Sequence, residues 1–99
     1  MEVMTERKTR EVTFTFKHKT GVKQVYLVGD FNQWDPTAKR MTKAIDGSFR
    51  TKMNLKPGKY QYKFVADGVW INDPEAREQV VNNFGTLNSV ITVSDGNNR

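Results

Sequence analysis

The chain contains no cysteine, which removes disulfide frameworks, thiolate metal sites and thiol nucleophiles together and suits a reducing compartment. It also lacks any apolar run near the roughly 18 residues of a membrane-spanning helix, and Met1–Arg10 is charged, without the apolar stretch of a signal peptide. These absences predict a soluble, cytoplasmic protein with no membrane partner. The single histidine, His18, lies beside lysines with no second ligand type at metal spacing, so solvent is its expected neighbour and neither metal nor cofactor is expected. No internal repeat or low-complexity tract is present. What remains is one domain of 99 residues, long enough to bury roughly two thirds of the surface its unfolded chain exposes and so to fold unaided.

Basic residues outnumber acidic ones, 16 to 11, for a formal charge of +5. Clustered cations would point to nucleic acid, because each phosphate neutralised releases counterions. Here the groups are loose: Arg7, Lys8 and Arg10; Lys17, Lys19 and Lys23; Lys39, Arg40 and Lys43. With no aromatic-and-glycine signature of RNA recognition, they read as a solvated surface and exclude a nucleic-acid partner.

The dominant pattern has period two. Val12, Phe14 and Phe16 alternate with polar residues, and Lys19-Thr20-Gly21 turns the chain into a second strand at Val25–Val28. A polar stretch follows Pro36 to Met41, then a short run to Ile45 before the Asp46-Gly47 turn. Phe49, Thr51 and Met53 alternate up to Pro57-Gly58; Tyr60, Tyr62 and Phe64 alternate up to Asp67-Gly68, which leads into Val69, Trp70 and Ile71. Residues 72–88 read as irregular, with room for one helical turn at most between Glu75 and Val81. Ser89–Val93 closes the domain. About seven short strands with turns roughly every ten residues predict an all-β, immunoglobulin-like antiparallel β-sandwich, with an oligonucleotide-binding barrel second. The domain is expected over residues 11–94, flanked by an extension over 1–10 and a tail over 95–99.

Both tryptophans fall in unusual places. Trp34 follows Gly29-Asp30 in a loop of Asn32, Gln33, Asp35 and Pro36, where it either caps the core or presents a flat face to a ligand. For Trp70, a two-residue Asp67-Gly68 hairpin pairs Val65 with Trp70 and Phe64 with Ile71. Opposed residues share a face, so Trp70 joins Val65 and Lys63 on the side away from Tyr60, Tyr62 and Phe64. Lys63 and Trp70 become diagonal neighbours roughly 7 to 8 Å apart. Either residues 72–88 cover this indole, with Lys63 laid over it, or both side chains meet one ligand. Indoles with Lys, Asn and Thr nearby suit a pyranose, whose C–H face stacks on an aromatic and whose hydroxyls meet polar groups. They equally suit a protein interface.

The segments GDFNQWDP, FRTKMNLKPGKYQYKFVADGVWINDP and NNFGTLNSVITV resemble, in order and spacing, the carbohydrate-binding modules of family 48. That family includes the glycogen-binding domain of the AMP-activated protein kinase β subunit and the N-terminal domains of isoamylases, pullulanases and branching enzymes. The resemblance runs from about Glu11 to Val93. It implies an early-set sandwich that binds α-1,4-linked glucans such as glycogen, starch or cyclodextrins and performs no catalysis. It further implies that Trp34 and Trp70 stack on sugar, that Lys63 and Asn88 bond hydroxyls, and that Thr86 adds a polar contact. Phe84 takes the place of an apolar side chain, leucine in the kinase subunit, that enters a cyclic ligand. Asp30, Asp35 and Asp73 lie near this set, but their turn contexts argue against a glycosidase carboxylate pair. A docking module for an attached glycoside hydrolase or kinase is the alternative function.

Overall fold

The computed structural model describes residues 9–17 and 21–94; His18, Lys19 and Thr20 lie outside the described residues, as do 1–8 and 95–99. Eight strands follow in order: β1 (Arg10–Phe16), β2 (Val25–Gly29), β3 (Thr42–Lys43), β4 (Phe49–Leu55), β5 (Gly58–Ala66), β6 (Val69–Ile71), β7 (Glu78–Val81) and β8 (Leu87–Val93). They form two antiparallel sheets, β1-β4-β3 and β2-β5-β8-β7, with β6 paired to the far half of β5. The expected sandwich is thus present, and no α-helix occurs among the described residues.

Alternation builds the core. Phe14 and Phe16 from β1 meet Leu27, Tyr62 and Phe64 from the larger sheet, with Met41, Phe49, Leu55 and Val93 around them. Phe14 meets Tyr62 edge-on at 5.0 Å and Phe16 meets Phe64 at 5.2 Å, a geometry worth about 0.5 to 1.5 kcal/mol per pair beyond area burial. The polar stretch after Pro36 runs along the free edge of β2. There the Leu27 N–H donates to the Lys39 carbonyl and the Met41 N–H to the Val25 carbonyl, both at 2.8 Å, and Met41 drops into the core.

Two expectations need correction. Residues 78–81, expected to be irregular or helical, form β7 and pair with β8 from Glu78↔Val90 to Val81↔Leu87. The run Glu-Gln-Val-Val has no alternation, because β7 is an edge strand and its hydrogen bonds to β8 outweigh its local pattern. The closing strand accordingly begins at Leu87, which places Asn88 inside the sheet. The Asp67-Gly68 turn does more than reverse the chain. With Asp67 at φ 48°, its carboxylate accepts from the Lys23 and Gln24 N–H groups at 2.9 to 3.1 Å. These bonds, Lys23 first, hold its pKa below the usual carboxylate value.

Candidate functional site

The register of the β5–β6 hairpin is Phe64↔Ile71, Val65↔Trp70 and Ala66↔Val69. Lys63 and Trp70 are therefore diagonal neighbours on the outer face, while Tyr62 and Phe64 point into the core. Trp70 is half exposed at 47%. It is flanked by the loop joining β7 to β8. Lys63, Trp70, Asn82, Phe84 and Thr86 line one cavity of about 370 Å³.

Asn82 builds that loop. Its Oδ1 accepts from the Phe84 N–H at 2.9 Å and the Thr86 N–H at 3.1 Å, and its Nδ2 donates to Thr86 Oγ1 at 2.8 Å and Asn88 Oδ1 at 2.9 Å. Gly85, at φ 82°, supplies the left-handed step that closes the turn. Phe84 stands at the apex, 90% exposed. Asn82 is a site residue that the sequence reading missed; an Asn three places before a Gly is a signal of this kind of side-chain-closed turn.

Lys63 is buried along its stem, while its ammonium reaches the cavity wall. Among the described residues its ammonium makes one hydrogen bond, a long one to Thr86 Oγ1 at 3.4 Å. Desolvation lowers its pKa from the usual lysine value. An ammonium has three N–H donors, so the bond to Thr86 leaves two of them over. Asn88 is buried beneath the loop rather than exposed, held between Asn82 and Gln61, to whose Oε1 its Nδ2 donates at 2.9 Å.

Trp34 lies outside this cavity. Gly29 ends β2 against the β5 backbone, where an added Cβ would lie 2.5 Å from the Gln61 carbonyl oxygen. Asn32 then closes the loop by accepting from the Gly29 N–H and donating to the Leu27 carbonyl, both at 3.0 Å. Phe31 packs inward on Phe14 and Tyr60. Gln33 and Trp34 both take positive φ, 57° and 58°, a costly conformation for non-glycine residues. Trp34, half-buried, donates from Nε1 to Asp30 Oδ1 at 3.0 Å, and Asp30 Oδ2 accepts from the Gln61 N–H at 2.8 Å. The loop indole is thereby tied to β5.

The three acidic residues have structural duties. Asp30 orients Trp34, Asp35 caps Thr37, and Asp73 accepts from Tyr62 Oη at 2.7 Å. Burial, then the Asp73 carboxylate, push the Tyr62 phenol well above its usual range. Among the described residues no cluster of three metal-ligating side chains occurs, and no helix is long and apolar enough to cross a membrane.

Residues 11–99 match the family model described as the glycogen recognition site of AMP-activated protein kinase. The chain belongs to this family. Within reach of the glycogen-recognition family are the pig 5'-AMP-activated protein kinase subunit beta-1, 37% identical over 78 residues, covering 79% of this chain and 61% of that one. Two chloroplastic plant proteins are also similar. FLOURY ENDOSPERM 6 of Oryza sativa subsp. japonica is 39% identical over 71 residues, and PTST homolog 2 of Arabidopsis thaliana 38% over 71. Each covers 72% of this chain, which spans 13% of the length of either. In fold, the chain is similar to part of the maltogenic amylase from S. marinus, with a TM-score of 0.70 and 23% identity over 94% of this chain and 16% of that one.

Proposed function

We propose that this domain binds α-1,4-linked glucans without catalysis, stacking glucose rings on Trp34 and Trp70. Lys63 and Thr86 select the hydroxyl arrangement, Asn88 supports them from below, and Phe84 presses on the ligand from the loop. The observation that carries this reading is the cavity itself: an indole and a phenyl ring beside a lysine whose ammonium, among the described residues, has one long hydrogen bond. A sugar offers its C–H face to the rings and its oxygens to the ammonium.

The magnitudes agree with a weak, polymer-directed site. Two indoles, each covering on the order of 100 Å² of sugar, contribute about 5 kcal/mol at about 25 cal/mol per Å². Three hydrogen bonds at about 1 kcal/mol each, set against an association cost of about 4 kcal/mol, leave a dissociation constant of about 1 mM. Repeated sites along a polymer raise the effective affinity well above that.

Calorimetric titration with β-cyclodextrin tests the reading on the native chain, Trp34→Ala and Trp70→Ala, each first checked for intact folding. Saturable binding that both substitutions abolish is the expected result. A folded native protein that stays silent at millimolar ligand overturns it. The second reading, docking on an associated glycoside hydrolase or kinase, is favoured by Val81 and Leu87, a cross-strand pair exposed on the opposite face of the β7–β8 hairpin. In that case soluble glucan leaves Trp34 and Trp70 unperturbed.

A further inference from the structure

The cavity gathers polar side chains beside Trp70 and does not extend to Trp34. The β5 residue tied to the Trp34 tether is Gln61. It lies on the outer face two residues before Lys63, hence roughly 7 Å from it along the strand, and its backbone N–H is bound by the carboxylate that holds the Trp34 indole.

Three linked amides fix which end of Gln61 faces the solvent. Asn82 Oδ1 accepts from two backbone N–H groups, which leaves that side chain no other orientation, so its Nδ2 must donate to Asn88 Oδ1. Asn88 therefore turns its own Nδ2 to Gln61, and Gln61 accepts through Oε1. An amide whose oxygen is engaged inward has its NH₂ left over. Among the described residues the Gln61 Nε2 has no hydrogen-bond partner, and the residue is only partly buried.

Resting on the glucan reading above, we propose that Gln61 is a further sugar-contacting residue, whose NH₂ donates to hydroxyl oxygens of the glucose unit stacked on Trp34. The Asn82–Asn88–Gln61 relay sets the direction of that donation from the loop backbone. The Trp34 end thus gains its own polar selection, separate from Lys63 and Thr86 at the Trp70 end.

The test is a nuclear magnetic resonance titration of the ¹⁵N-labelled native chain with maltoheptaose, following the Gln61 NH₂ and both indole N–H signals. Gln61→Met is titrated in parallel. The expected result is intermolecular Overhauser contacts from the Gln61 NH₂ to ligand protons, saturating together with the Trp34 shift, and about a three- to tenfold weaker affinity for Gln61→Met. Saturating shifts at both indoles without any contact from the Gln61 NH₂ overturn the proposal, since a group that only positions Asn88 touches no sugar. This readout on the native chain decides the matter even if Gln61→Met fails to fold. If neither indole responds, the glucan reading itself falls.

Discussion

At the scale of single residues, Lys63 is the group through which pH would act on the proposed site. Its lowered pKa means that it loses its proton earlier than an ordinary lysine as pH rises. On the glucan reading, affinity should therefore decline as pH rises, at a pH below that at which ordinary lysines titrate. Calorimetry at rising pH checks this, with Lys63→Met expected to bind weakly and without pH dependence. Stability moves in the opposite sense. The folded state binds this proton less well than the unfolded state, so the lysine's contribution rises as pH climbs from its folded pKa to its usual one. Gly29 governs geometry instead. A methyl group there meets the Gln61 carbonyl oxygen, so Gly29→Ala should lower unfolding stability by about 1 to 3 kcal/mol, read from urea denaturation midpoints.

At the scale of elements, the β7–β8 hairpin is a device for presenting Phe84 and Thr86. Asn82→Ala removes the acceptor of two loop N–H groups and two side-chain bonds. It should cost about 1 to 2 kcal/mol of stability and speed amide hydrogen exchange at Phe84 and Thr86, while the amides of β5 stay protected. A uniform loss of protection would instead mean that the loop supports the whole sheet. This hairpin is also where sequence and structure part. The β5–β6 hairpin was legible because Asp67-Gly68 sets its register and alternation sets its faces, which placed Lys63 beside Trp70 correctly. β7 was not, because an edge strand needs only a partner and Glu78–Val81 shows no period. A sugar-bonding role for Asn88 came from the resemblance alone, and its burial between Asn82 and Gln61 rests on tertiary bonds that no local pattern shows. Trp34 was recognised as unusual, but its tether runs from Asp30 to Gln61 across 31 residues, beyond any local pattern.

At the scale of the whole molecule, the +5 charge and the site have little to do with each other. Among the cavity-lining side chains only Lys63 is charged, and a neutral polysaccharide has no counterions to release. Affinity for β-cyclodextrin should therefore change by less than about twofold between about 50 and about 500 mM salt, whereas phosphate-driven binding would weaken steeply. The larger sheet has one face in the core and carries Lys63 and Trp70 of the proposed site on the other. Asp30 bonds both the loop indole and the β5 backbone, and strand register holds Trp70 to the same β5. Both tryptophans are thus anchored to one strand. On the proposed glucan reading, much of the conformational entropy lost on binding then falls on the glucan, and a ring-closed or already coiled chain has less of it to lose than an open one.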